Sequence, residues 1–320
     1  MVDLFTPCFK LEIDGIDKTA QICLNLESIE YQDMEEGESD TLSFTVANSP
    51  AFAIPARGAT VKFWLGWKEG KMKFFGQFTV DEISGNFSAA TMTVSAKSAY
   101  LCADSTLKQK EDKQWEKISL ADLAAKIAAK HGCKAKVSIN TYYSYQAQCN
   151  ESDMAFLSRL AQEAGGALTI KDKTFVIAPA GKATRKKTSI AFTAACSGSF
   201  TVQDREKYGS VKAVWWDKDQ AKQTVIVEGD GQPTHKIKKR FSSAAEAKAA
   251  ITGYLAKMNK SQMSMDLSVP GDPTLVTGAE VECSGFSPKA LNGTYLAKSV
   301  TQRASKSSGW TTDIKLEKIG

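Results

Sequence analysis

The chain has 320 residues, 42% hydrophobic and 24% charged, with a formal net charge of +5. This length carries two or three units of ordinary size, the composition is that of a soluble globular protein, and no apolar run approaches the roughly 20 residues a membrane helix needs. The basic residues sit in short clusters, Arg185-Lys186-Lys187 and Lys236 to Arg240, without the sustained stripe and stacking aromatics of a nucleic-acid face, so specific nucleic-acid binding is not expected.

The N-terminus places Asp3 early and lacks a basic region followed by an apolar core, so no secretory signal is read and synthesis is expected to end in the cytoplasm. Seven scattered cysteines form no C-x-x-C pair and are expected to be reduced and mostly buried.

From Phe9 to Cys102 the sequence is a series of short alternating segments: Phe9–Ile13, Gln21–Leu26, Ser28–Asp33, Thr41–Val46, Thr60–Trp67, Lys71–Ile83 and Ala90–Ala96. Period-2 alternation with Gly, Asp, Asn and Pro between predicts an all-β antiparallel unit over residues 1–104. The pattern then changes. Ser119 to Gly132 places Leu120, Leu123, Ala124, Ile127 and Ala128 on one face, with a Ser N-cap and a Gly stop, and predicts an amphipathic helix. A second helix is predicted over Ser152–Ala164, capped by Asn150 or Ser152 and ended by Gly165-Gly166. Strands Ala167–Lys171 and Thr174–Ala178 should then pair across a turn at Asp172-Lys173. Residues 105–180 thus read as a small α/β module.

After a basic linker, Gly181 to Lys187, the chain becomes β-rich again over residues 181–320. One helix interrupts it, opening with a Ser243–Glu246 capping box and running from about 243 to 258.

The two β-rich regions share an order of elements. Leu42–Val46, Gly58-Ala59-Thr60-Val61, Gly76–Ile83 and Thr91–Val94 have counterparts in Met265–Val269, Gly278-Ala279-Glu280-Val281, Gly293–Val300 and Thr311–Ile314. The step from Gly76 to Ile83 equals that from Gly293 to Val300, and Gly-Ala-x-Val recurs unchanged. The expected architecture is therefore mainly β with an α+β insertion: two tube-like antiparallel β-barrels in one chain plus a small α/β module. Three such chains would present six similar units around an axis, so a trimer could meet a hexameric ring on one face and keep threefold symmetry on the other.

Candidate chemistry is sparse. His131 lies at a helix end, where an imidazolium favours the C-terminus, and His235 lies in a Gly/Pro-rich loop, expected exposed. Two histidines far apart, with no H-x-x-x-H, argue against zinc. Neither a G-x-S-x-G elbow nor a phosphate-binding loop occurs. The acidic run Asp33 to Glu38 lacks calcium-loop spacing and reads as a solvated hairpin turn. Trp64, Trp67, Phe74, Phe75 and Phe78 alternate, which fits a barrel core on one face and a subunit contact on the other; a sugar platform is the competing reading. No catalytic, cofactor-binding or metal-ligating residue is assigned, and no cofactor or enzyme activity is expected.

At this point the chain resembles the phage late control gene D proteins. This is the contractile-tail baseplate hub family, which also takes in the N-terminal part of the valine-glycine repeat spike proteins of type VI secretion. The residues that carry the resemblance are Leu107-Lys108-Gln109-Lys110 with Trp115, then Glu151 to Ala161, Tyr208-Gly209-Ser210-Val211 to Trp215-Trp216-Asp217, Phe241 to Ala247, and Leu291-Asn292-Gly293-Thr294-Tyr295.

The resemblance implies a homotrimeric hub between a hexameric tail tube and a trimeric tail spike, touching other baseplate proteins and the tape measure protein, with no membrane in the resting state. It places the chain in the virion tail baseplate or a tail-like particle, assembled in the bacterial host cytoplasm. Because the sequence ends at Gly320, the spike is expected to be a separate polypeptide. A carbohydrate-binding or cell-wall-degrading tail-tip protein is the alternative. Transcriptional control, which the family's name suggests, finds no helix-turn-helix with a basic recognition face.

Overall fold

A computed structural model describes residues 6–34, 39–47, 55–56, 58–98, 107, 109–171, 174–179, 186–202, 209–217, 222–241, 243–258, 263–306 and 308–319. The first β-rich part comprises β1 (Pro7–Ile13), β2 (Ile16–Asp17), α1 (Thr19–Asn25), β3 (Leu26–Met34), β4 (Thr41–Ala47), β5 (Thr60–Trp67), β6 (Lys73–Asn86) and β7 (Thr91–Lys97). The α/β part holds β8 (Lys110–Ser119), α2 (Leu120–Lys130), β9 (Lys134–Val137), β10 (Tyr142–Ser152), α3 (Asp153–Glu163), β11 (Gly166–Lys171) and β12 (Thr174–Pro179). There follow β13 (Lys187–Ala191), β14 (Ser197–Val202), β15 (Ser210–Asp217), β16 (Lys222–Gly229), β17 (Thr234–Phe241) and α4 (Ala244–Met258). The chain closes with β18 (Met263–Pro270), β19 (Glu280–Ser284), β20 (Gly293–Ser305) and β21 (Gly309–Lys318).

Alternation sorts the side chains of these strands as the period of two requires: β4 buries Leu42, Phe44 and Val46, while Thr41, Ser43 and Thr45 stay partly exposed. Five strands of the second half, β14 and β18 to β21, repeat β3 to β7 of the first in order and pairing. The ladder β4·β7 pairs Phe44 with Val94, and β18·β21 pairs the corresponding Leu267 with Ile314. Val61 lies opposite Phe78 in β5·β6, and Val281 opposite Tyr295 in β19·β20. Each copy carries a bulge at the same place, between Val80 and Glu82 and between Ala297 and Ser299. The Gly-Ala-x-Val turn recurs too. Gly58 donates to the Val80 carbonyl at 2.9 Å and Gly278 to that of Ala297 at 2.8 Å. Both glycines have positive φ, +84° and +78°, which a side chain would resist.

Among the described residues the two halves do not close into separate barrels. Among the described residues one continuous path of strands runs β14-β18-β21-β20-β3-β4-β7-β6-β5-β1-β2, with β19 and β13 joined to β20. The seam is the antiparallel ladder β3·β20, from Met34 opposite Ser299 to Ser28 opposite Ser305. The sheet is not wholly antiparallel either, since β13 runs parallel to β19.

All three predicted helices form, and at α2 and α3 Ser119 and Ser152 accept hydrogen bonds from the amides of Asp122 and Ala155 as N-caps. In α4 the Ser243 hydroxyl accepts from the Glu246 amide at 3.2 Å. The strand predicted over Gln21–Leu26 is instead α1 and the start of β3. Only Ile22 of that helix is buried and Leu24 is 79% exposed, so the apparent alternation was not a buried face. Strands β2, β8, β9, β10, β13 and β17 were not anticipated. β8, Lys-Glu-Asp-Lys-Gln-Trp-Glu-Lys-Ile-Ser, is so charged that only its partner β10 gives it a strand's surroundings. Strands β11 and β12 pair as expected, but their turn at Asp172-Lys173 lies outside the described residues, as does most of the 181–187 linker.

Residues 181–320 contain two cores. The sheet β16-β15-β17 and α4 bury Val211, Ala213, Ile237, Phe241, Ala247 and Ile251 in a core of their own. This unit leans on the α/β module. Gly253 of α4 lies against Gly165, where a Cβ would come 3.1 Å from the Gly165 Cα, and Lys239 pairs with Glu163 at 2.8 Å.

Candidate assembly surfaces

The seam between the halves is built from strand edges that could otherwise face solvent. On its core face Ile29 and Tyr31 meet Ala304 and Gln302, all buried; on the other face Arg303 reaches Glu30 at 2.8 Å. Loops reinforce it. Thr277 donates its amide to Asp33 Oδ2 at 2.9 Å and its hydroxyl to the Asp33 carbonyl at 2.5 Å. Lys73 Nζ donates to the Pro273 carbonyl at 2.6 Å, and Trp67 Nε1 to that of Gly271 at 3.1 Å.

Trp67 and Trp310 meet with ring centroids 4.7 Å apart, so a tryptophan from the second half completes the first core. Gln302, 1% exposed, bonds through both ends of its amide: its Oε1 accepts from Trp310 Nε1 at 2.9 Å and Thr312 Oγ1 at 2.7 Å, and its Nε2 donates to the Asp272 carbonyl at 3.0 Å. A cavity of about 300 Å3 opens beside the seam, lined by Tyr31, Asp33, Asp40, Lys73, Phe75 and Thr277.

Several expectations for single residues change here. Asp33, read as part of a solvated turn, is 3% exposed and clasps Thr277; Glu35 to Glu38 lie outside the described residues. The aromatics divide by face. Phe78 is buried and Phe75 and Trp67 pack on the first core, whereas Trp64 and Phe74 meet at 4.9 Å with tilted rings on the opposite face, Lys10 lying over Trp64. His235 is not in a loop but in β17, half-buried and stacked on Tyr254. Of the described cysteines only Cys283 is buried, and burial pushes its thiol up to about 12; Cys23 and Cys149 are exposed, and Cys102 lies outside the described residues.

His131 does end α2, but its ring is buried, with Nε2 2.8 Å from Asp153 Oδ2. Asp153, 0% exposed in the first turn of α3, also accepts from Lys130 at 2.9 Å and from Gln148 at 2.9 Å. Burial alone would raise its pKa, but the hydrogen bonds from Lys130, Gln148 and His131 outweigh it and hold the carboxyl at about 2. This network fastens the two helices of the module by their ends. Among the described residues no group of three or more His, Cys, Asp or Glu side chains could hold a metal ion, and no helix is long and apolar enough to cross a membrane.

Exposed apolar side chains stand out in three places. Trp216, Val225 and Val227 lie on β15 and β16, on the face opposite α4. Phe200 and Val202 lie on β14, at one end of the large sheet, and Phe87 lies in the turn between β6 and β7.

The model of the phage tail baseplate hub family (GPD) matches residues 39–308, from just after β3 to the end of β20, including the whole α/β module. The chain belongs to this family. The baseplate hub assignment is shared by two relatives. The probable baseplate hub protein of Escherichia phage 186 is 24% identical over 364 residues, covering 97% of this chain and 92% of that protein. That of Escherichia phage P2 is 29% identical over 220 residues, 66% of this chain and 56% of that protein, so this match spans little more than half of the P2 hub.

Solved structures share the fold. A 43 kDa tail protein of prophage MuSo2 from Shewanella oneidensis has a TM-score of 0.73 at 14% identity, covering 97% of this hub and 98% of that chain. A type VI secretion component of E. coli reaches 0.57 at 14% identity, covering 97% and 77%. The hub is thus mostly β, a baseplate component of a phage tail, and similar in fold to the secretion-system proteins.

Proposed function

We propose that three copies of this hub form a ring that adapts a hexameric tail tube to a trimeric central spike. The observation that carries this reading is the duplication: two halves with the same strand order, register and bulge lie side by side in one continuous sheet. Three chains then supply six similar units, so a sixfold neighbour meets near-equivalent surfaces while the chain as a whole stays threefold. On this reading residues 1–104 and 181–320 each bear one tube-like unit, and 105–180 is a module set to one side.

The role is mechanical rather than catalytic. Contacts to the tube, the spike, other baseplate proteins and the tape measure are spread over sheet edges and faces, in a virion tail assembled in the host cytoplasm. Solution mass by light scattering tests the stoichiometry. A mass near three times 34.7 kDa, alone or on adding the spike encoded beside this chain, is the expected result. A chain that stays at 34.7 kDa with both spike and tube present would overturn the ring.

A further inference from the structure

Strand β3 pairs with β4 on one side and with residues 299–305 of β20 on the other. Its counterpart in the second half is β14: Ile29 faces Phe44 as Gly198 faces Leu267, and Tyr31 faces Leu42 as Phe200 faces Met265. Yet among the described residues β14 pairs only with β18, its outer edge ends the sheet, and all six of its residues are exposed. The counterpart of residues 299–303 of β20 is the stretch 82–86 of β6. Strand β5 pairs only with residues 73–79 of β6, so among the described residues the edge of 82–86 on that side has no strand beside it.

One chain therefore carries both halves of a second seam, at opposite ends of its sheet. The operation that lays the first half on the second, applied once more, brings β6 of another copy beside β14. We infer that neighbouring copies join by antiparallel pairing of β14 in one with residues 83–86 of β6 in the next, Ile83 opposite Val202, Ser84 opposite Thr201, Gly85 opposite Phe200 and Asn86 opposite Ser199. The register is that of the seam within the chain, where Val300, Thr301, Gln302 and Arg303 face Asp33, Gln32, Tyr31 and Glu30.

The side chains fit this pairing. On the core face of the internal seam Val300, Ala304, Ile29 and Tyr31 are all buried. The same face of the second seam would receive Ile83 and Phe87 from one copy and Phe200 and Val202 from the other. Alone, Val202 is 60% and Phe200 49% exposed on β14, an apolar load that an unpaired edge rarely carries without a partner, and Phe87, in the turn that follows β6, is 96% exposed. Bulk also changes sides. Where Ala304 meets Ile29 within the chain, Phe87 would lie over Gly198, so the large side chain comes from the opposite strand. The opposite face carries Ser84, Asn86, Ser199 and Thr201, small and polar, in place of the Arg303–Glu30 ion pair. Each chain gives one edge and receives the other, so the contact is head-to-tail and closes only in a ring.

This inference rests on the ring reading and is tested in the full-length chain, with exposed Cys23 and Cys149 changed to serine. Asn86→Cys with Ser199→Cys, oxidised, should give reducible bands at two and three chain masses, whereas Ser84→Cys with Ser199→Cys, two residues out of register, should give several-fold less. Phe200→Asp should shift the mass from three chains to one with unchanged far-UV circular dichroism. A protein of threefold mass that does not cross-link in the first pair, cross-links equally in the second, or keeps its mass with Phe200→Asp overturns the edge pairing and leaves the ring intact. A chain monomeric with spike and tube overturns both.

Discussion

Replacing Gln302 by leucine removes the acceptor for two buried donors and the donor for one carbonyl, while keeping the side-chain volume nearly constant. Trp310 Nε1–H and the Thr312 hydroxyl, on residues 3% and 0% exposed, would lose their partner at 2.9 and 2.7 Å, and the Asp272 carbonyl its donor at 3.0 Å. An orphaned buried polar group costs about 1–3 kcal/mol, and leucine recovers part of this by apolar burial, so the net loss should be about 3 kcal/mol. Trp310 also packs in the first core and on Trp67, so the loss should appear in both halves at once. Urea unfolding followed by tryptophan fluorescence should show a lower midpoint at unchanged slope. Because Thr312 shares the network, Gln302→Leu with Thr312→Val should cost less than the sum of the two by at least about 0.5 kcal/mol. A loss under about 1 kcal/mol, or strict additivity, would refute the view that this amide holds the halves together.

Three further outcomes are expected. The Asp153 carboxyl, lowered from 3.8 to about 2, contributes roughly 2 kcal/mol that is fully present above pH 4 and lost as pH falls through 2. Asp153→Asn should cost about that much at neutral pH and flatten the acid limb of a stability–pH curve. Gly271→Ala puts a Cβ 2.1 Å from Trp310 Cδ2 and disturbs the carbonyl that holds Trp67, so thermal unfolding should show about 1–3 kcal/mol of destabilisation. Ser119→Ala and Ser152→Ala each remove an N-cap and should cost about 1 kcal/mol apiece in chemical denaturation, without altering the oligomeric mass.

What the sequence determined by itself was local or repeated. Helices α2 and α3 were legible because an apolar stripe of period 3.6 begins at a serine cap and ends at glycine. The duplication was legible because a turn needing positive φ at Gly58 and Gly278 constrains residue type in both copies, and alternation fixes the steps on either side. Gln302 left a fainter signal, since it sits in the core phase of β20 between Val300 and Ala304.

Tertiary structure decided the rest. Nothing in Leu26–Met34 or Gly293–Ser305 says that these strands pair, because a strand edge offers the same backbone groups to any partner and the choice is made by side chains some 270 residues apart. The short run Thr19–Asn25 became a helix, and the charged β8 a strand, because of what they pack against rather than their own periodicity. The same dependence on distant partners separates α4 from the second half and gives it a core of its own.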